Sequence, residues 1–245
     1  NRLAGLTIIG APSGGGKSVY CVNEVIHQWK TGNSSVYFSL ELPAKLLEAR
    51  ILSNLTEVPL KAILEDLLPE DIRKPLTSEY KELLDGMRKE LASDKTPDIF
   101  IFDNMFSPTE IENTIVEYSD AHNVSLFVLD YLNLMSARAS GDGSTWHSKA
   151  EFTKKLNQLC LENGIVVLCP TQIDITKETD GNLTMKTRGT TELLNTSTLA
   201  ILIYRPEDVE GLLQLEIVKS RNSGKVKVAL ADRLNVQKFE DLGEV

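Results

Sequence analysis

Gly10-Ala-Pro-Ser-Gly-Gly-Gly-Lys-Ser18 is the feature that most narrows what this chain can become. It follows Leu6-Thr-Ile-Ile, a short β-branched run that reads as a buried strand. It opens a segment, 17–30, in which Val19, Val22, Ile26 and Trp29 recur at helical spacing. A strand turning through glycines into a helix gathers backbone N–H groups and a helix N-terminus at one point, and that point favours an anion. Ser13, Gly14, Gly15, Gly16, Lys17, Ser18 and Val19 are then the residues placed around a bound phosphate. The Lys17 ammonium suits the β and γ phosphates of ATP or another nucleoside triphosphate, and the Ser18 hydroxyl suits Mg²⁺. Strict spacing for such a loop puts glycine where Ala11 stands, with Gly10 one place early.

Downstream, Ser35–Leu40 reads as a second strand, and 44–92 as two or three helices broken near Pro59, Pro69 and Pro75. Asp98–Phe102 is strand-like, Pro108–His122 is an amphipathic helix, and Val124–Leu129 is almost wholly apolar, as in a parallel sheet covered on both faces. A Gly/Ser loop at 136–147, a helix at 148–163 and a strand at 165–169 follow. Residues 173–190 read as a long polar loop, and 198–204, 212–218, 225–230 and 234–239 as strands. The expected fold is α/β: a mostly parallel sheet flanked by helices, with a C-terminal antiparallel extension, in one domain over 1–245.

The composition excludes several classes. Lys and Arg number 26 against 35 Asp and Glu, a net charge of −9, so the chain is no uniformly basic nucleic-acid binder. A local basic groove remains compatible with that total. No apolar run approaches the roughly 20 residues of a membrane helix. Cys21, Cys160 and Cys169 are too scattered for a disulfide framework or zinc site and read as buried thiols in a reducing cytoplasm. His27, His122 and His147 show no ligand spacing. Asn1 stands where an initiator Met would, and no leader precedes the first strand, so the chain reads as a piece of a longer one.

Three further residues are expected beside the phosphate loop. Asp130 ends the apolar run Leu126-Phe-Val-Leu, as expected of a carboxylate that holds the Mg²⁺ shell through water. Tyr131, not a second acid, follows it, so the base for an attacking water must come from elsewhere. Glu41, ending the second strand, is the candidate base, and Gln172 lies at the same sheet edge, placed to sense the γ-phosphate.

The set GAPSGGGKS (10–18), SLEL (39–42), LDYLNLM (129–135), LCPTQ (168–172) and VKSRNSGKV (218–226) resembles the motor domain of DnaB-type hexameric replicative helicases, from about residue 3 to 240. The resemblance implies a RecA-like P-loop NTPase core in a homo-oligomeric ring, a hexamer, that translocates on single-stranded DNA and unwinds duplex at a replication fork. It implies a cytoplasmic protein with primase and a helicase loader as further partners. Glu41 matches the family's catalytic glutamate, Asp130 its metal-side acid, and Gln172 the glutamine linking nucleotide state to the DNA loops. Lys219 and Arg221 match the basic pair inserted into a neighbour's nucleotide site, Arg221 being the arginine finger.

Two loops are candidates for the pore: 136–148, with Arg138 and nearby Lys149, and 173–190, with Lys177, Lys186, Arg188 and Gly189. Cys169-Pro170-Thr171 and Lys186-Thr-Arg-Gly-Thr190 depart from the family's usual third and fourth motifs. Trp146 reads as a packing residue at a helix start. Competing readings are a RecA- or RadA-like recombinase, a KaiC-like RecA-fold ATPase without helicase activity, and a P-loop small-molecule kinase, which would need an arginine-rich lid.

Overall fold

The apolar runs become strands because helices cover them on both sides. In Leu126–Asp130, the fourth strand, Leu126, Phe127, Val128 and Leu129 are all fully buried, which a sheet with one wet face would not allow. The computed structural model describes residues 4–105, 107–130, 145–177, 183–186, 190–206, 211–220 and 226–244, with backbone alone at 145–150, 174–177, 183–186 and 190–192.

The elements run β1 (Gly5–Ala11), α1 (Lys17–Lys30), β2 (Ser35–Ser39), α2 (Ala44–Thr56), α3 (Leu60–Asp66), α4 (Ser78–Leu91), β3 (Ile99–Phe102), α5 (Pro108–His122) and β4 (Leu126–Asp130). They continue with α6 (Thr145–Asn163), β5 (Val166–Gln172), β6 (Asp174–Lys177), β7 (Leu183–Lys186), α7 (Thr190–Thr196), β8 (Leu199–Tyr204), β9 (Leu212–Ser220), β10 (Lys227–Arg233), a 3-10 turn (Leu234–Val236) and β11 (Lys238–Glu244).

Nine strands form one sheet in the order β11-β10-β9-β8-β1-β5-β4-β2-β3, with β1 at its centre. From β8 to β3 all pairings are parallel, while β9, β10 and β11 add an antiparallel extension. The expected α/β architecture is therefore present, and all three cysteines are buried and free.

One core cluster packs α5 (Ile111, Ile115), α6 (Phe152, Leu156, Cys160) and α7 (Leu193) against Ile8, Phe38, Phe127 and Val167. On the opposite face, α1 and α2 cover Tyr37, Leu126, Val128 and Leu168. The helices α2, α3 and α4 form a smaller core of their own around Leu52, Ile63 and Leu84. Among the described residues, no helix is long and apolar enough to cross a membrane.

Several sequence expectations need correction. The polar segment 173–190 contains an antiparallel hairpin, β6 with β7, in which Asp174 pairs with Lys186, and then the short helix α7. Alternation in Asp-Ile-Thr-Lys and Leu-Thr-Met-Lys, around Asp180-Gly181, carries that hairpin signal. Helix α6 begins at Thr145, not at 148, and the segment expected as a strand at 234–239 is a 3-10 turn followed by β11. Ser39 ends β2, so Glu41 lies beyond the strand.

β1 starts on a tight polar node. Asn157 Oδ1 of α6 accepts from Leu6 N at 2.9 Å and from the Thr198 hydroxyl at 3.1 Å. Gly5, with φ of 129°, lies so close to Thr198 that a Cβ would sit 2.1 Å from its Oγ1. Asn157→Ala leaves the Leu6 N–H buried without its acceptor and is expected to cost about 1–3 kcal/mol, read from urea unfolding.

Candidate active site

Four parallel strands end at one edge of the sheet, where their last residues are Ala11, Ser39, Asp130 and Gln172. Register brings them level, Ala11 pairing with Gln172 and Ser39 with Asp130. Central β1 is where the strand order departs to both sides, the position at which open α/β sheets hold ligands. A cleft of about 280 Å³ opens there. It is lined by Ser13, Gly14, Gly15, Gly16, Lys17, Ser18, Val19, Glu41, Asp130 and Gln172, so every cis-acting residue expected from the sequence converges on it. Arg50 of α2, with Leu234 and Gln237 at the β10–β11 turn, complete the lining and were not anticipated.

Close neighbours leave no room for a side chain at two of the loop's glycines. Gly16 has φ of 89°, and a Cβ there would meet Phe239 Cζ of β11 at 2.7 Å. A Cβ on Gly15 would lie 2.9 Å from both the Ala11 Cβ and the Pro12 carbonyl oxygen. Ala11 itself is a strand residue paired with Gln172, a conformation open to any L side chain. That explains how alanine stands where the loop pattern asks for glycine.

Lys17 Nζ donates to the carbonyls of Ala11, at 3.0 Å, and Pro12, at 2.8 Å, so the ammonium curls over its own loop. Burial lowers its pKa from the ordinary lysine value, opposed by the negative charges of Asp130 and Glu41. Asp130 is 4% exposed, and the Tyr37 hydroxyl donates to its Oδ2 at 2.6 Å. Burial raises the Asp130 pKa, and the hydroxyls of Tyr37 and Ser18, with the charges of Arg50 and Lys17, pull it back. Leu40 N donates to the Asp130 carbonyl at 2.7 Å, and Ser39 Oγ to the Leu42 carbonyl at 2.6 Å, fixing the turn that carries Glu41.

The far wall is built by Gln237. Its carbonyl accepts from Asn54 at 2.6 Å and from Asn23 at 2.9 Å, while its Oε1 accepts from Arg50 at 3.1 Å. These bonds fasten the C-terminal hairpin to α1 and α2 across the cleft. The donor set fits a Mg²⁺–triphosphate: a backbone cradle, an ammonium, a guanidinium, a hydroxyl and a carboxylate. Among the described residues no group of three or more His, Cys, Asp or Glu could hold a metal unaided, so Mg²⁺ here would draw on phosphate oxygens as well.

The family model of the DnaB-like helicase C terminal domain matches residues 2–241. The chain belongs to that family. It is 27% identical over 257 residues to the replicative DNA helicase DnaB of Pasteurella multocida and 26% identical over 255 residues to that of Haemophilus influenzae. Each match covers 98% of this chain and 52% of the relative, so the chain spans about half the length of these curated relatives. Solved structures show the same fold. One of them, an ATPase domain, superposes with a TM-score of 0.78 at 19% identity, covering 97% of this chain and 84% of that one. A DnaB-like replicative helicase, described together with its interactions with primase, gives 0.79 at 18% identity, covering 96% and 58%. A KaiC-like protein of Pyrococcus horikoshii gives 0.62 at 16% identity, covering 97% and 88%.

In this DnaB-like domain Lys219, described with its side chain, lies away from the cleft. Lys219 pairs with Ala200, which pairs with Ile8, and β9 runs on toward Ser220 opposite Leu199, away from the edge where Ala11 ends β1. The Lys219 ammonium bonds to the carbonyls of Leu194, of Asn195 at 3.0 Å and of Ser197 at 2.7 Å, at the C-terminus of α7. A cation there complements the helix dipole. The backbone of Lys186 ends β7, and Lys177 ends β6. Arg221, Arg138, Arg188 and Gly189, like the side chains of Trp146, Lys177 and Lys186, lie outside the described residues.

Asp130 is more basic folded than unfolded, so its ionisation costs stability as pH rises through its raised pKa. Asp130→Asn is expected to raise the melting temperature of the nucleotide-free domain at neutral pH, measured by calorimetry.

Proposed function

We propose that residues 1–245 form one motor domain within a longer chain, which assembles as a ring and uses nucleoside triphosphates to translocate on single-stranded DNA and unwind duplex at a fork. The observation that carries this reading is the convergence of Lys17, Ser18, Glu41, Asp130 and Gln172 on one cleft at the ends of adjacent strands, in a member of the DnaB-like family. In this reading the glycine-rich loop binds the phosphates, with Lys17 exchanging its two carbonyl partners for β and γ oxygens. Ser18, and Asp130 through water, would hold Mg²⁺, which would supply charge neutralisation on the phosphate oxygens. Glu41, exposed on its turn, orients the attacking water and takes its proton. Arg50 adds a fixed positive charge at the cleft wall, positioned by Gln237.

Gln172 and Asp174 are separated by Ile173 alone, and Asp174 faces Lys186 across the hairpin. A change at the γ-phosphate felt by Gln172 therefore has a short covalent path to the β6–β7 hairpin. We assign that hairpin, with Lys186, Arg188 and Gly189, and the 136–148 loop with Arg138, to single-stranded DNA. Primase and a loader would engage the assembled ring. Lys219 and Arg221 are assigned to action in trans; for Lys219 the support is that β9 carries it toward the sheet edge opposite this chain's own phosphate loop.

Glu41→Gln is expected to bind nucleotide normally and to lose about 100-fold or more in turnover. Steady-state hydrolysis beside a binding titration checks this, and normal turnover returns Glu41 to the role of a surface charge. Arg221→Ala rings are expected to lose about 1,000-fold in turnover while each subunit still binds nucleotide. Mixing them with Lys17→Ala subunits should restore part of the activity, since mixed rings pair a sound loop with a sound finger. No recovery in rings shown to be mixed would place Arg221 in a cis or structural role.

A further inference from the structure

Tyr37 has no part in the phosphate-loop pattern, yet its hydroxyl ends on a carboxylate buried in the cleft. It lies on β2 opposite Val128, two residues before Asp130 on β4, so Tyr37, Val128 and Asp130 share the sheet face beneath α1 and α2. Its ring is 1% exposed and packs in the cluster that includes Cys21, Val22, Leu47 and Ile51. A phenylalanine would fill that volume equally well, and nothing in the packing calls for an oxygen. The oxygen has a partner nonetheless, and a strong one: an O–H donating to a carboxylate at 2.6 Å is within the charge-assisted range.

We propose that Tyr37 is a positioning residue for metal-dependent nucleotide binding, its hydroxyl fixing the rotation of the Asp130 carboxylate through Oδ2. The inference rests on the nucleotide reading above. An aspartate main chain can be placed by the sheet, as the bond from Leu40 N to the Asp130 carbonyl does, but that leaves the carboxylate free to turn about its side-chain torsions. The phenol is held by a rigid ring on a neighbouring strand, so it fixes that turn before any ligand arrives. What remains of the carboxylate then faces Ser18 and the cleft in one orientation, where it would hold the water shell of Mg²⁺ bound with a triphosphate. A preset carboxylate strengthens only the metal-dependent part of nucleotide binding, because the backbone cradle and Lys17 act on the phosphates without it.

The test is calorimetric titration of a nonhydrolysable ATP analogue, with Mg²⁺ and with EDTA, into wild type, Tyr37→Phe, Asp130→Asn and the double variant. Wild type is expected to bind more tightly with Mg²⁺. Tyr37→Phe should lose about tenfold of that enhancement, the scale of one hydrogen bond to a charged group, while its affinity in EDTA stays near wild type; its melting temperature falls modestly, because buried Asp130 loses a donor. Asp130→Asn should abolish the enhancement, and adding Tyr37→Phe to it should change nothing more.

Equal weakening with and without Mg²⁺ would mean a purely structural role and overturn the proposal. So would an undiminished enhancement in Tyr37→Phe beside its loss in Asp130→Asn, which leaves the nucleotide reading standing. If wild type binds the analogue in neither condition, the nucleotide reading fails and this inference with it.

Discussion

An ionised carboxylate buried at the end of a central strand is expensive unless donors surround it, and Asp130 sets the terms for its whole neighbourhood. Tyr37 from β2, Ser18 from the first turn of α1 and the charges of Lys17 and Arg50 all act on it. Those groups come from three different elements, so satisfying one side chain requires β2 beside β4, α1 above both and α2 close behind. The register that pairs Ser39 with Asp130 follows the same demand, and it carries the Glu41 turn to the cleft. The site is thus assembled by a polar requirement set inside an apolar sheet.

The C-terminal extension answers a second requirement. A loop made mostly of glycine contributes little packing of its own, and here the missing side chains are replaced by Phe239, seated against Gly16. Gln237 adds hydrogen bonds to Asn23, Asn54 and Arg50. On the surface, Glu57 at the end of α2 pairs with Arg233 and Lys238, and these partners hold its carboxyl down at about 2. The antiparallel strands therefore brace the phosphate loop from the side that its own helix does not cover.

Sequence alone disclosed most of the sheet and the near half of the cleft. Local signals carried that half: the Gly10–Ser18 run, the apolar strand ending in Asp130, Glu41 before Pro43, and Gln172 after an apolar strand. The far half was silent because its contacts join distant parts of the chain. Arg50 meets Gln237 across 187 residues, and Tyr37 meets Asp130 across 93, so neither side chain announces its partner locally. Tyr37 reads as one more aromatic in a strand, and Gln237 as a polar residue near a turn. The β6–β7 hairpin was missed for another reason, its two four-residue strands being short and polar enough to pass for loop.

Lys219 ties the end of β9 to the last carbonyls of α7, and α7 follows β7 after only three residues of chain. A helix of seven residues is about 10 Å long and stiff along its axis. Held at its last carbonyls by Lys219, it makes one rigid piece with the β9 terminus, so the segment that enters the sheet as β8 starts from a fixed post.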